Sequence, residues 1–230
     1  MKHMDSNKKW ILYFYMVFWI GVSIPLLIFD ENEIAFFLNA NPDSEIYSKF
    51  IIFYTDSLYI TIGLVAVLTL LSFFVKKLEK YRQFFLTTLL TYSITFGFTS
   101  ILKILIGRQR PYVVHSEEIN SFGETEADLS MPSGHSSYSA AISVPFALNL
   151  RKYAGIVLLI IYNTFMMYTR LYLGLHWLSD VLVGSMLGVG LSYLIVYLMN
   201  KLYKEKRMAK SIEIALGAVC LAVTIISAIL

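Results

Sequence analysis

Apolar residues in this chain fall into long runs separated by short polar segments. A helix of roughly 20 apolar residues matches the hydrocarbon thickness of a bilayer, so each long run is a candidate membrane span. The runs predict spanning helices at residues 10–29, 51–75, 83–106, 135–150, 153–169, 180–200 and 212–230. We therefore expect an all-α, polytopic transmembrane helix bundle with six core helices and a seventh helix at the C-terminus.

The fourth and fifth predicted helices are the shortest of the set. Only Arg151 and Lys152 separate them, and Pro145 interrupts the fourth. One long kinked helix is therefore an alternative, provided that the following loop is re-entrant. Two helices are preferred because the distribution of charge then agrees with the rest of the chain.

Lysine and arginine concentrate in the loops on one side of the predicted bundle. Most of the 19 such residues fall on that side, at positions 2, 8, 9, 76, 77, 80, 82, 151, 152, 201, 204, 206, 207 and 210. Cytoplasmic loops carry an excess of Lys and Arg, so this side and the N-terminus are predicted to be cytoplasmic, in a multi-pass protein of the cell membrane. The remaining basic residues are Lys49, Lys103, Arg108, Arg110 and Arg170, and they predict an extracytoplasmic active face.

Composition agrees with an integral membrane protein, because 57% of residues are hydrophobic and only 15% are charged. The net charge of +3 and the scattered basic loops argue against nucleic-acid binding. The run at 10–29 is followed by acidic residues rather than a small-residue cleavage site, so it is predicted to remain as the first helix. Residues 1–230 are predicted to form one domain, with its motifs in residues 50–200 and an extra C-terminal helix at 212–230.

The segment from Asp30 to Lys49 is acidic and contains the short apolar stretch 34–38. That stretch is too short to span a membrane but suits the membrane interface. Two interpretations remain open. The segment is either an ordinary outer loop or a lip where a lipid enters the site.

Cationic side chains near the predicted outer helix ends indicate a site for phosphate. A charge at bilayer depth costs roughly 2.5–3.5 kcal/mol unless a partner or water stabilises it, so several together favour a function. Lys103, Arg110 and Arg170 can surround the equatorial oxygens of a phosphoryl group in transfer. Each alone also fits a cation that reaches toward the interface. Arg108 could share the phosphate-binding role, but we expect it to make a headgroup or surface contact.

The tetrapeptide 132–135, Pro-Ser-Gly-His, opens the fourth predicted helix. Free N–H groups and the positive dipole end make a helix N-terminus an anion site. Ser133 can cap this end, and Gly134 allows the backbone to approach an oxyanion closely. His135 is suited to protonating a leaving oxygen. Alone, the tetrapeptide also fits an ordinary serine cap.

His176 and Asp180 are four residues apart, so on a helix they would share a face. The carboxylate could then hold one ring nitrogen while the other faces phosphorus, which is typical of a histidine nucleophile with its orienting group. A structural histidine and a helix-capping aspartate are the alternatives. Two histidines and one carboxylate among three cations do not suit a divalent metal, so neither a metal nor another cofactor is predicted.

Together these segments resemble the three-part signature of the type 2 phosphatidic acid phosphatase (PAP2) family, whose site is similar to that of vanadium haloperoxidases. The first part is Lys103-Ile-Leu-Ile-Gly-Arg-Gln-Arg110-Pro111, and the second is the tetrapeptide at 132–135. The third is Thr169-Arg170, five residues, His176, three residues and Asp180. The family usually has Ser where this chain has Thr169, so a hydroxyl is retained.

The resemblance implies a metal-independent membrane phosphatase. His176 would attack phosphorus to form a phosphohistidine, Asp180 would orient it, and His135 would protonate the leaving group. The phosphoryl oxygens would be bound by Lys103, Arg110, Ser133, Gly134 and Arg170. Family habit and the outward-facing site favour a polyprenyl diphosphate carrier lipid as substrate.

Other functions use the same residues. Phosphatidylglycerophosphate and phosphatidate are alternative substrates, and a phosphotransferase would differ only in its acceptor. A non-catalytic transporter or binding protein for anionic lipids would explain the cations, but not the two histidines and the helix-spaced carboxylate. A vanadate-dependent oxidase is disfavoured by the membrane-embedded composition.

Overall fold

The computed structural model describes residue 17 and residues 19–39, 45–121, 129–149, 153–205 and 208–229. Within these ranges the chain is helical and contains no β-strand. The helices are α1 (Pro25–Ile28), α2 (Glu31–Asn39), α3 (Glu45–Phe74), α4 (Lys76–Glu79), α5 (Arg82–Ile106), α6 (Pro111–Val114), α7 (Gly134–Asn149), α8 (Tyr153–Tyr172), α9 (Leu178–Lys204) and α10 (Lys210–Ile229). The all-α prediction is confirmed.

Six of the predicted spans correspond to α3, α5, α7, α8, α9 and α10. The first predicted span, 10–29, begins outside the described residues, but Trp19 from it is buried against α7, α8 and α9. The fourth and fifth spans are separate helices that pack against each other, so the alternative of a single kinked helix is wrong. Residues 150–152, between them, lie outside the described ranges.

Four segments are long and apolar enough to cross a membrane by length and composition: Tyr47–Phe74, Arg82–Val114, Leu178–Lys204 and Lys210–Ile229. Ile156–Tyr172 in α8 is a shorter apolar helix. Many large apolar side chains point outward, such as Phe74 at the end of α3 and Ile104 and Leu105 on α5. In a bilayer such a surface faces lipid instead of water.

Helix α7 forms the centre of the bundle and is buried along nearly its whole length. Its closest neighbour is α9, where Gly184 and Gly188 lie one turn apart on the face toward α7. A Cβ added to Gly184 would lie 2.5 Å from the Ser133 carbonyl oxygen, and one added to Gly188 would overlap the Ser137 carbonyl oxygen. Small residues at this spacing let two helix backbones approach closely.

The C-terminal helix α10 packs on the outside of α5 and α3. At its start, Glu213 Oε2 forms an ion pair with Arg82 Nε at 2.9 Å. Near its end, the Tyr92 hydroxyl donates to Ser227 Oγ at 2.6 Å. The predicted seventh helix is therefore attached to the bundle near both of its ends.

The alternating direction of the helices brings the sequence motifs to one end of the bundle. Helices α5 and α8 finish at this end, and α7 and α9 begin there. The opposite end carries basic residues that include Lys76, Arg82, Lys201 and Lys210. This segregation is what the charge pattern of the sequence predicts.

The outer segment 30–49 contains the helix α2, which lies across the motif-bearing end. Ala35 packs with Ile119 and Trp177, while Phe37 points outward and is 81% exposed. Asn39 is buried and exchanges hydrogen bonds with the backbone of Asn120 at 2.8 and 2.9 Å. Residues 31–39 of this segment therefore form a helix that packs on the motif-bearing end of the bundle.

We expect Gly188→Ala to lower the free energy of unfolding by roughly 1–3 kcal/mol, because the new methyl group overlaps backbone atoms of α7. Unfolding of the purified protein in mixed SDS micelles measures the change. Gly190→Ala on the same helix is the matched control, since its Cβ would meet no atom within 4 Å. Equal stability of the two variants would contradict the close contact of α7 with α9.

Candidate active site

The end of the bundle where the motifs meet contains buried charged side chains. Arg110 is 1% exposed, Arg170 and His176 are 2% exposed, and Asp180 is fully buried. The charges of Arg110, Arg170 and Lys103 act on both His135 and His176, so these five side chains lie close together. Ser133 and Gly134 join the centre through the hydrogen bond from the Ser133 N–H to the Asp180 carbonyl oxygen, 3.0 Å long.

His176 has a defined orientation because its neighbours differ in hydrogen-bonding capacity. Its Nε2 lies 3.1 Å from Nη1 of Arg110, which also donates to the Leu175 carbonyl oxygen at 2.8 Å. A guanidinium group only donates, so Nε2 must accept and the ring proton must sit on Nδ1. Nδ1 faces Asp180 Oδ2 at 3.6 Å. This tautomer leaves a lone pair on the nitrogen that faces the cations.

The environment of His176 also disfavours its protonation. Burial lowers the pKa of the imidazole well below its usual value of 6.5, and the positive charges of Arg110, Arg170 and Lys103 lower it further. His176 lies in the loop between α8 and α9. A neutral imidazole at this position can act as a nucleophile at physiological pH.

The relation of His176 to Asp180 differs from the helical pair that their spacing predicts. Helix α9 begins only at Leu178, so His176 precedes it and Asp180 lies in its first turn. Asp180 Oδ2 accepts from the Trp177 N–H at 2.8 Å and thereby caps the helix. Asp180 thus accepts from the N-cap residue of α9 with the same carboxylate that faces His176.

Arg108 does not make the headgroup or surface contact expected from the sequence. Its guanidinium group donates to Asp180 Oδ1 at 2.9 Å and to Glu31 Oε2 at 2.7 Å. It also lies over the Trp177 ring, 5.1 Å from the ring centroid. The expectation was wrong because the sequence did not indicate that α2 folds back and brings Glu31 to this end.

The tetrapeptide 132–135 occupies the start of α7, as predicted. Ser133 Oγ lies 3.5 Å from the Ser136 nitrogen, the geometry of a weak N-cap. The Ser133 N–H itself is not free for an anion because it donates to Asp180. His135 Nε2 has no hydrogen-bond partner among the described residues, and its ring meets the edge of Tyr59 at 5.2 Å between centroids.

Two further contacts hold the cations in place. Arg170 Nη1 donates to Thr55 Oγ1 at 3.2 Å, across from α8 to α3. Lys103 Nζ donates to the Leu129 carbonyl oxygen at 2.6 Å. Thr55 lies in an apolar run without a local motif, so sequence reasoning missed it, as it missed Glu31.

A glycine in the left-handed region positions the third motif. Gly174 has φ +70°, and a Cβ there would lie 2.7–2.9 Å from atoms of Ile119, Asn120 and Asn39. Only glycine adopts this conformation without strain in so little space. The turn carries the chain from Arg170, at the end of α8, to His176, two residues before α9 begins.

The arrangement is suited to an anion with several oxygens. Three cations converge on it, against the one buried carboxylate of Asp180, which already accepts from Arg108. Three or more His, Cys, Asp or Glu side chains do not come together as a metal site anywhere in the described ranges. The chemistry of this donor set fits a phosphoryl group better than a cation.

Comparisons with known proteins agree with the resemblance noted in the sequence. The family pattern described as the PAP2 superfamily matches residues 80–204. The lipid A 4'-phosphatase of Bacteroides thetaiotaomicron is 28% identical over 114 residues, which cover 45% of this chain and 48% of that protein. The chain thus matches about half the length of this curated relative.

Two solved structures share the fold. The crystal structure of a transmembrane PAP2-type phosphatidylglycerolphosphate phosphatase from Bacillus subtilis has a TM-score of 0.62 at 19% identity, covering 87% of this chain and 96% of that chain. The crystal structure of Aquifex aeolicus LpxE has a TM-score of 0.54 at 20% identity, covering 72% and 93% respectively. The predicted polytopic bundle is therefore a known fold.

We expect Thr55→Val to weaken the binding of orthovanadate, a phosphate mimic, by about tenfold, because a hydrogen bond to a charged group contributes on this scale. Titration calorimetry of the purified protein in detergent measures the affinity. Thr61→Val, on the same helix α3, serves as the control, because it removes a hydroxyl that donates to the Ser57 carbonyl oxygen. Unchanged affinity in Thr55→Val would contradict a role of this hydroxyl in holding Arg170.

Proposed function

The chain belongs to the PAP2 superfamily, and from that premise we propose that it is an integral-membrane lipid phosphatase with His176 as its nucleophile. The observation that carries this proposal is the orientation of His176. Its Nε2 is buried, accepts from Arg110 and faces the cationic centre. An unprotonated nitrogen aimed at an anion-binding centre is what attack on phosphorus requires.

The proposed reaction has two steps. Arg110 turns its N–H from His176 Nε2 to a phosphoryl oxygen of the bound substrate, and the released Nε2 lone pair attacks phosphorus. The bond from phosphorus to the leaving oxygen breaks, and His135, which is protonated while the negative charge of the substrate offsets the neighbouring cations, gives that oxygen its proton. Water then attacks phosphorus and gives a proton to His135, the bond from phosphorus to His176 Nε2 breaks, and inorganic phosphate leaves with both histidines restored. Asp180 stabilises the positive charge that develops on the His176 ring during the first step.

The cations stabilise the transferring phosphoryl group, whose negative charge is spread over its equatorial oxygens. We assign this role to Lys103, Arg110 and Arg170, with Ser133 and Gly134 at the start of α7. Burial strengthens these interactions because the local dielectric is low. Since the donors are already fixed by Leu175, Leu129 and Thr55, little reorganisation accompanies the reaction.

The proposed substrate is the terminal phosphate of a polyprenyl diphosphate carrier lipid, reached from the extracytoplasmic side of the cell membrane. The segregation of Lys and Arg to the far end of the bundle supports that orientation. The relatives favour two other candidates, since one relative is a phosphatase of lipid A and another of phosphatidylglycerolphosphate. Each of the three lipids would place its phosphate at the same centre.

We expect purified protein in detergent with EDTA to release phosphate from at least one lipid phosphate, and His176→Ala to lose at least about 10³-fold in rate, since a covalent nucleophile has no substitute. The panel compares a polyprenyl diphosphate, phosphatidylglycerophosphate, phosphatidate and lipid A. Thr61→Val on α3 is the control, because its hydroxyl donates to the Ser57 carbonyl oxygen within the same helix.

The outcomes separate the competing functions. The substrate with the highest kcat/KM identifies the lipid class. Loss of activity in EDTA that a divalent metal restores would contradict the metal-independent mechanism. Folded protein that binds these lipids without releasing phosphate would overturn the phosphatase and favour an anionic-lipid binding protein or transporter.

We expect the acidic limb of kcat/KM that reports His176 to have its midpoint below pH 6.5. Burial and the neighbouring cations lower the pKa of this imidazole, so the neutral, reactive form persists to lower pH than in a free histidine. Phosphate release between pH 4 and 8, at substrate concentrations below KM, measures the profile. A midpoint at or above 6.5 would contradict the neutral, buried nucleophile.

A further inference from the structure

Glu31, the first residue of α2, lies outside the three sequence motifs but contacts two parts of the site. Its Oε2 accepts from Arg108 at 2.7 Å, and its Oε1 accepts from the Ser179 N–H at 2.7 Å. Ser179 directly precedes Asp180 in the first turn of α9. One carboxylate on the outer helix therefore contacts both the partner and the chain neighbour of Asp180.

Arg108 links the two carboxylates. One end of its guanidinium group donates to Asp180 Oδ1 and the Ser179 hydroxyl, and the other donates to Glu31. The order of groups is Glu31, Arg108, Asp180 and His176, so the charges of the first three alternate and the fourth group becomes positive as it attacks phosphorus. Both Asp180 oxygens are engaged, Oδ1 by Arg108 and Oδ2 by the Trp177 N–H.

These contacts are sheltered, because the side chains of Arg108 and Glu31 are 28% and 24% exposed and that of Asp180 is fully buried. Ionic contacts in such an environment are stronger than those between surface residues. Burial alone would raise the pKa of Glu31, but hydrogen bonds from Ser179 and Arg108 outweigh it and lower the pKa below its usual value. Glu31 is therefore negatively charged at neutral pH.

We propose that Glu31 is a positioning residue for the His176–Asp180 pair, acting through Arg108 and making the outer helix α2 part of the catalytic arrangement. The inference rests on the proposed function and extends it to a residue outside the family motifs. Without Glu31, the full charge of Arg108 would act on Asp180 and weaken the attraction between Asp180 and the His176 ring. With it, the charge of Arg108 is shared between two carboxylates.

Helix α2 is attached to the rest of the protein at both of its ends. The far end of α2 is fixed by Asn39, which also donates to the Tyr172 carbonyl oxygen at 2.9 Å. The near end is attached through Glu31, and through Asn32, whose Oδ1 lies 3.0 Å from His115 Nε2. The exposed apolar side chain of Phe37 lies between them. A displacement of α2 at its near end would therefore reach Asp180 through Arg108.

The test compares Glu31→Gln with Glu33→Gln, which removes the same charge from the exposed side of the same helix. With dihexanoyl phosphatidate, a water-soluble probe, we expect Glu31→Gln to lower kcat by about tenfold with KM within about twofold, because a charge-assisted hydrogen bond to the positioning arginine is lost. Glu33→Gln should behave as the wild type. Arg108→Gln should lower kcat at least as much as Glu31→Gln, because Asp180 Oδ1 then loses the hydrogen bond that fixes the carboxylate beside His176.

A double-mutant cycle tests whether Glu31 acts through Arg108. In the Arg108→Gln background, Glu31→Gln should have less than about a twofold further effect, because residues that work as a unit are not additive. Hydrogen exchange of residues 31–39 gives an independent measure. Exchange should be faster in Glu31→Gln than in Glu33→Gln, and this comparison requires no activity.

The outcomes distinguish the two proposals. If His176→Ala abolishes phosphate release while Glu31→Gln retains wild-type kcat, the positioning role is wrong and the proposed function stands. Equal losses in both Arg108 backgrounds would also overturn it. If the wild type releases no phosphate, the proposed function fails, and unchanged hydrogen exchange in Glu31→Gln would then overturn the attachment of α2 as well. Should Glu31→Gln not fold, Glu31→Asp replaces it with the same expectations, because the shorter side chain cannot keep both contacts, to Arg108 and to the Ser179 N–H.

Discussion

The structure depends on one electrostatic constraint, which is the burial of several cations at the end of an apolar helix bundle. Such charges are stable there only if nearby acceptors fix them or an anion completes the site. Arg110, Arg170 and Lys103 each donate to an oxygen from a different element, namely Leu175, Thr55 and Leu129. The cations are thus held apart and aimed at a shared centre. The ends of α5 and α8 and the starts of α7 and α9 must meet within a few ångströms for this to hold.

The helix ends meet because small residues, rather than charged ones, let the helices pack closely. Gly184 and Gly188 let the backbones of α9 and α7 approach until a methyl group would no longer fit. The same register places Asp180, one turn before Gly184, beside the start of α7. Dispersion and close contact, which hold helices together in lipid, therefore also set the geometry of the reactive groups. The packing of α9 on α7 and the position of Asp180 therefore depend on the same contact.

Local sequence signals predicted much of this arrangement. Apolar runs located the helices, and Pro132 to His135 marked the start of α7, because both depend on nearby residues. The family resemblance supplied the expectation that the motifs meet. The sequence did not predict the partners of Arg108 or Arg170, since Glu31 and Thr55 lie far away along the chain and in no motif. It also treated His176 and Asp180 as a helix-spaced pair, whereas α9 begins at Leu178 and Asp180 accepts from the N–H of its N-cap residue, Trp177. Long-range folding decided each of these features.

The hydrogen bond from the Ser133 N–H to the Asp180 carbonyl oxygen joins the second and third motifs through backbone atoms alone. Replacing either side chain leaves this link intact. A scan of single substitutions would therefore assign to Ser133 only what its hydroxyl contributes and would overlook the connection. Exchange of segments with a relative would reveal it. The start of α7 and the start of α9 contact each other through backbone atoms, so they must be exchanged together. A chimera that takes only one of them from the relative would contain two segments that do not fit each other.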